Sequence, residues 1–467
     1  MHDRDRKFGK WLEQARHAQA AGDAEAARRL CGKILRQNSA QPEANHLLGL
    51  LLAARQDYAA ALTHLERAAA LAPASAEIQN NLGNVYRARA NLDRAEQCYR
   101  RALSLAPGMA QAHANLGVVC KLRGKLDEAI ACYRHALELE PNMAGAHYTL
   151  GVALKERGET TAAIDRFRHS IALNPNSPDT HASLGQILRE QNRIEEALGH
   201  FQRAVELNPR LAAVHEALGQ IHKEQGKLDE AVACFRRAVE EDPNNPSTRY
   251  QLAALSGEPM IAAPPDYVRN VFDQYADTFD RHLTEKLEYR TPQRLRSLLD
   301  ECAGGRRFHQ AVDIGCGTGL CGKRFRDKVN RLVGMDLSPK MIEKAAEKKI
   351  YDMLRLGDIA ETLDREEEYF DLILAADVFV YLGDLEAIFR TVARRAGAGA
   401  LFLFSTESCE AGTWVLRKTC RYAHSRQYIQ SLAVKYGFSV MACHAAPLRR
   451  DVGEWVSGDY YAIQYRG

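Results

Sequence analysis

Gln310-Ala-Val-Asp-Ile-Gly-Cys-Gly-Thr-Gly319 runs an apolar, strand-like segment straight into three alternating glycines. Glycines in that place remove side chains, so that backbone can approach a ligand closely. Asp313 adds a carboxylate at the strand end, a natural partner for a cationic ligand. Gly317-Thr-Gly319-Leu-Cys-Gly322 also matches the dinucleotide pattern G-x-G-x-x-G. That site requires an acid about 20 residues past the loop, whereas Asp336 lies 14 beyond Gly322. The dinucleotide frame also leaves Asp313 without a role, so the spacing argues against it.

Apolar runs at 310–314, 331–335, 352–356, 370–376, 399–404, 438–444 and 459–465 read as strands. Helical patterns such as 339–349 and 384–396 lie between most of them. This alternation predicts a doubly wound α/β sheet with ligands at the carboxyl ends of the strands. Asp336 closes the strand after the glycine loop, and Ser338-Pro339 then start a helix as N-cap and first-turn proline.

Val312-Asp-Ile-Gly-Cys-Gly-Thr-Gly319 resembles motif I of class I methyltransferases. Three further segments follow in the family's order: Leu332-Val-Gly-Met-Asp336, Leu356-Gly-Asp358-Ile359 and Phe370 to Leu382. The resemblance implies S-adenosyl-L-methionine as cofactor and a Rossmann-like class I methyltransferase fold. It implies cofactor contacts from Asp313, Gly315, Cys316, Gly317, Gly319, Asp336, Leu337, Asp358 and Ile359. Among these Asp336 would hold the ribose hydroxyls, Asp358 the exocyclic amine and Ile359 the adenine face. A sulfonium methyl group is already activated, so alignment and removal of at most one proton are what remain. Asp377, Tyr381, His282 and His424 are the candidates, His282 in a helix that resembles the family's N-terminal lid. No Asn/Asp-Pro-Pro-Tyr/Phe sequence follows the fourth strand, which disfavours nucleobase and glutamine amino-methylation. Only Asp377 and Asp384 are close enough to that loop to form a metal site of the catechol type, so no metal is expected.

Upstream, the sequence repeats every 34 residues. Gly49, Gly83, Gly117, Gly151, Gly185 and Gly219 form one column; Pro73, Pro107, Pro141, Pro175, Pro209 and Pro243 form another. Ala27 to Ala231 keep the same step, as do Tyr99, Tyr133, Phe167, Phe201 and Phe235. Small residues mark close helix contacts, a large aromatic fills the gap between neighbouring pairs, and proline closes each second helix. The frame at 116–129 resembles the tetratricopeptide repeat, giving an α-helical superhelix of seven units from residue 8. Residues 246–256 read as a solvating cap helix, making 8–256 the repeat domain, 257–266 a linker and 267–467 the methyltransferase domain. The resemblance implies a groove for a protein or peptide. Arg87, Lys121, Lys155, Arg189 and Lys223 share one groove position, a basic stripe suited to an acidic partner. Asn81 and Asn115 begin a second polar column. His113, His147, His181 and His215 also recur, but successive helix pairs stand about 10 Å apart, too far for shared ligation at about 2 Å. They are expected to be packing residues.

The chain has 467 residues with 63 basic and 60 acidic side chains, a balance that predicts no nucleic-acid or membrane surface. Eleven cysteines without a Cys-x-x-Cys pair suit reduced thiols in a cytoplasmic protein. The charged first residues lead into no apolar core, so no secretory leader is expected. The longest apolar stretch, 372–381, contains Asp377 and is too short to span a bilayer. The resulting expectation is a methyltransferase whose repeats recruit a protein or peptide. The alternatives are a small-molecule (lipid, quinone or natural-product) methyltransferase with repeats used only for assembly, and a non-catalytic scaffold.

Overall fold

The computed structural model describes residues 2–410, 412–451 and 453–467, with side chains from residue 7 onward. The chain divides into two compact units, Met1–Val214 and His215–Gly467.

The first unit is a succession of antiparallel helix pairs at the 34-residue step, such as Ala76–Ala88 with Leu92–Leu105 and Ala110–Leu122 with Leu126–Leu139. Each second helix ends two residues before its proline, because proline cannot donate to the ladder. The glycine column has a stricter cause than small size alone. A Cβ on Gly83 would stand 2.7 Å from the Tyr99 ring, on Gly117 2.6 Å from Tyr133, and on Gly151 2.8 Å from Phe167. The aromatic column therefore seats on the glycine of its own helix pair. This corrects the expectation that it fills the gap between neighbouring pairs.

The histidine column is a set of hydrogen-bonded packing residues. Nε2 of His113, His147 and His181 donates to the carbonyls of Pro107, Pro141 and Pro175 at 3.0, 2.8 and 3.1 Å. Each ring also meets a second histidine from the partner helix: His135, His169 and His200. A carbonyl only accepts, so these rings are fixed with the proton on Nε2. Among the described residues no group of three or more His, Cys, Asp or Glu could hold a metal.

The second unit begins inside the helix Ala212–Glu224 and includes the final helix of the repeats and the helix Pro246–Ser256. That last helix was expected to be solvating, but Thr248, Tyr250, Gln251, Ala253 and Ala254 are buried. Tyr250 donates to the Cys420 carbonyl at 2.9 Å, and it packs with Leu416 and Tyr422 of the α/β domain. The expected linker is also built in: Ala263 donates to the Tyr381 carbonyl at 2.9 Å.

The sheet contains β1 (Phe308–Ile314), β2 (Val329–Asp336), β3 (Met353–Leu356), β4 (Phe370–Ala375) and β5 (Ala396–Ser408). Beyond these come β6 (Trp414–Leu416), β7 (Tyr422–His424), β8 (Phe438–Asp451) and β9 (Glu454–Tyr465). Strands β3-β2-β1-β4-β5 are parallel in that order; β9 joins β5 antiparallel, and β8 joins β9. Short β7 pairs with the tip of β5 at Glu407 and Ser408, with β6 beside it. Strand order reverses direction of travel between β1 and β4, the place where open α/β sheets bind ligands.

Two outcomes test the repeat packing. Gly117→Ala should destabilise the chain by about 1–3 kcal/mol through overpacking. Gly145→Ala, a helical position with nothing within 4 Å of the new Cβ, should be neutral or stabilising in the same denaturant titration. Burial also depresses the pKa of His147 and His200, so folding favours their neutral forms. Their stabilising contribution is complete above about pH 6.5 and is lost as pH falls toward the depressed values. The thermal midpoint should drop in that window, and His147→Gln should flatten the drop.

Candidate active site

The glycine loop leaves β1 in a conformation that ordinary residues adopt rarely. Gly315, Gly317 and Gly319 have φ of 66°, 54° and 92°. A Cβ on Gly315 would lie 2.5 Å from Val378, so β4's following loop closes against it. Asp336 pins the loop from the neighbouring strand. Its Oδ2 accepts from the Gly317 amide at 2.8 Å and its Oδ1 from the Ser338 amide at 2.9 Å. Burial pushes the Asp336 carboxyl up to about 6, opposed by these amides.

Below the loop lies a residue that the sequence reading missed. Tyr351 occupies the space left by Gly322 and Gly334, where a Cβ would stand 2.4 and 2.9 Å from the tyrosine. Its hydroxyl donates to Asp313 Oδ2 at 2.7 Å. The glycine that completes the G-x-G-x-x-G pattern therefore makes room for an aromatic ring. Asp313 is fully buried, with burial pushing its carboxyl up to about 7.

A cavity opens above this loop at the carboxyl ends of β1, β2 and β4. Gly315, Cys316, Gly317, Asp336, Leu337, Asp358 and Ile359 line one part of it. Seven of the nine residues expected at the cofactor are thus brought together; Asp313 and Gly319 support the loop from outside the lining. Asp358 also caps the helix Ile359–Asp364 through the amides of Ala360 and Glu361. The cradle of side-chain-free backbone and acids fits a nucleoside-bearing cationic ligand.

The other part is formed by Phe272, Leu283, Tyr289, Asp377, Val380, Tyr381, Leu382, Arg421 and Arg449 among others. Asp377 has φ of 60°, a left-handed value that aspartate tolerates better than most residues. Its Oδ2 receives Arg449 Nη1 at 2.8 Å. Arg449 is 2% exposed and also pairs with Glu407, which in turn holds Arg417. The sequence reading ended its sixth strand at 444 and so missed Arg449, which β8 carries as it runs on to Asp451.

The candidate histidines are elsewhere. His424 is fully buried, and its Nε2 lies 2.8 and 3.0 Å from the carbonyls of Leu382 and Gly383. Burial drives its pKa down to about 4. It holds the loop that carries Tyr381 and does not line the cavity. His282 starts a π-helical turn, His282–Lys286, and stacks on Tyr275 with ring centres 6.3 Å apart. It does not line the cavity either. The preceding helix covers the loop, with Asp280 accepting from Thr318 and Lys348.

In the repeats, Lys121 pairs with Glu156 and Lys155 with Glu190, both at 2.9 Å. Arg87 and Arg189 form no ion pair among the described residues. Lys223 lies 3.0 Å from the Cys420 sulfur. Asn81 bonds His46 at 2.9 Å, and Asn115 donates to Asn80 while 8% exposed. Two of the five stripe cations are thus matched by a glutamate one step along the repeat.

A family described as methyltransferase domain matches residues 312–402, spanning the loop, β2, β3, β4 and into β5. Three families described as tetratricopeptide repeat match 41–141, 121–187 and 183–246. The chain carries tetratricopeptide repeats and a methyltransferase domain. Similar proteins include the malonyl-[acyl-carrier protein] O-methyltransferase of Salmonella typhimurium, 26% identical over 34% of this chain and 61% of that protein. An 18S rRNA (guanine-N(7))-methyltransferase of Arabidopsis thaliana is 26% identical over 40% of this chain and 71% of its own length. The chain spans about three fifths of the Salmonella relative. Among solved structures, Pseudomonas aeruginosa pilF aligns with a TM-score of 0.41 at 20% identity, covering 44% of this chain and 93% of that one. Among the described residues no helix of this methyltransferase-domain chain is long and apolar enough to cross a membrane.

Tyr351→Phe should leave the buried Asp313 carboxyl without its hydroxyl donor and cost about 1–3 kcal/mol. Chemical denaturation would show it, and a loss well under that range would mean that Asp313 is satisfied otherwise.

Proposed function

We propose that this chain is an S-adenosyl-L-methionine-dependent methyltransferase and that its repeats recruit a protein or peptide. The observation that carries the first statement is the loop of positive-φ glycines pinned by Asp336 at the cavity wall. Gly315, Gly317 and Cys316 would bring backbone against the donor's amino-acid end. Asp336 retains lone pairs beyond its two amide bonds and would accept from ribose hydroxyls. Asp358 and Ile359 would take the base edge and face. When bound, the donor supplies a methyl group activated by a positive sulfur.

The protein's part is then alignment. Phe272, Phe279 and Leu283 from the covering helices exclude water above the loop, and Tyr381 is held edge-to-face on Phe272 with centroids 5.5 Å apart. Fixing donor and acceptor in line removes much of the entropic barrier. For the repeats, the support is the unbroken succession of helix pairs at the 34-residue step, since such arrays present extended concave surfaces. The paired Lys121 and Lys155 favour a partner read by shape and backbone over one chosen for acidity. A small-molecule acceptor is the second reading, favoured by the apolar lining from Ala263, Val268, Val380 and Leu382.

Asp336→Ala and Gly317→Arg in the full chain should each weaken donor binding at least about tenfold, a loss of about 1.4 kcal/mol or more. Isothermal calorimetry with S-adenosyl-L-homocysteine reads this directly; wild-type affinity in both variants would remove the donor assignment.

A further inference from the structure

The acceptor part of the cavity is rich in hydrogen-bond donors and poor in bases. Arg449 lines it with a buried guanidinium whose Nη1 and Nη2 are held by Asp377 and Glu407, while its Nε has no partner. Arg421 lines it too, and its ion-pair carboxylate, Asp451, stands at 4.0 Å, the loose limit of such a pair. Tyr381 presents a phenolic hydroxyl in the same wall.

Apart from the Tyr381 phenol, a weak base at neutral pH, the groups that could take a proton are otherwise engaged. Asp377 is bonded to Arg449 and to the Ser405 hydroxyl, and Thr318 donates to Asp280. Burial drives the Tyr289 phenol and the Cys316 and Cys321 thiols well above their ordinary values, toward their protonated forms. His282 and His424 are outside the lining. Asp336 and Asp358 are committed to backbone amides on the donor side.

A loosely paired arginine in the cavity wall calls for an anion. A wall whose carboxylates are all engaged favours a nucleophile that arrives deprotonated. A carboxylate is an oxygen nucleophile that meets both demands at neutral pH. We propose that the methyl acceptor is a carboxylate, docked on Arg421 in the cavity wall, and that the product is a methyl ester.

This inference rests on the methyltransferase reading. In the step, one carboxylate oxygen forms a bond to the methyl carbon as the carbon–sulfur bond breaks. The bonding pair stays on sulfur, leaving a neutral thioether and a neutral ester. No proton moves, so no base is needed. Arg421 acts as a positioning residue: it selects the anion and orients its oxygen.

The test uses the full chain, methyl-tritiated donor, and a cell lysate separated into protein and small-molecule fractions. Labelled product is treated with mild alkali and volatile methanol is collected. Release of the label as methanol is expected. Release from the protein fraction identifies a protein carboxylate, and release from the small-molecule fraction identifies a free acid. Alkali-stable label overturns the proposal, and so does the absence of label when calorimetry shows the donor bound. Loss of donor binding itself would instead remove the reading beneath it.

On the labelled acceptor, Arg421→Gln should raise KM about tenfold or more with donor affinity unchanged, and Arg421→Lys should recover part of the loss. Above about pH 7.5, once the raised Asp313 and Asp336 carboxyls are ionised, the rate should stay flat to about pH 9, because the acceptor carboxylate is already ionised there. An unchanged KM in Arg421→Gln, or a rate climbing tenfold per pH unit over that range, overturns the docking.

Discussion

The turn out of β1 constrains everything around it. Three glycines with positive φ reverse the backbone within five residues, and such a turn is held only if its neighbours leave no alternative. Asp336 supplies the clamp from above by taking amides on both sides of the β2 end. Tyr351 supplies the floor, wedged where Gly322 and Gly334 lack side chains and bonded to Asp313. Because β1 sits between β2 and β4, one rigid turn places the acids of β2 and the loop after β4 around the same space. Any residue with a Cβ at Gly315 would push Val378 and that second loop away.

A different kind of constraint governs the far side of the cavity. Arg449, Asp377, Glu407 and Arg417 form a mostly buried chain of alternating charge. Such a cluster is a weak source of stability, since desolvation offsets most of the attraction, but removing one member leaves an uncompensated charge. Its value here is geometric. It fixes Asp377 in a left-handed conformation and turns the orphan Nε toward no protein acceptor.

The parts of the fold that follow from local periodicity were legible in the sequence. The 34-residue columns gave every helix pair, and apolar runs located seven of the nine strands. Strands β6 and β7 were missed because each has three residues, too few for an alternation to register. The features that depend on contacts across long sequence separations were not legible. Nothing near Tyr351 announces Asp313, 38 residues earlier, and nothing near Arg449 announces Asp377, 72 residues earlier. The same limit hid the burial of Tyr250, whose hydroxyl meets Cys420. His424 shows the converse: residue type suggested chemistry, but its two carbonyl neighbours and low pKa describe a neutral structural ring.

The charges around the cavity bear on rate as well as recognition in the proposed reaction. Asp336 and Asp358 would face the proposed donor; Arg421, with the charge-compensated Arg449 and Asp377, lines the other part. A sulfonium and a carboxylate are opposite charges that cancel as the methyl group moves. Water would stabilise the separated ions more than the neutral products and so oppose the transfer. Walls such as Phe272, Leu283, Val380 and Leu382 replace that water with apolar surface, where a charge-cancelling step is favoured. An amine acceptor would gain nothing of the kind, since the positive charge merely shifts from sulfur to nitrogen. The apolar lining and the engaged carboxylates are then two aspects of one arrangement, and both suit an acceptor that brings its own negative charge.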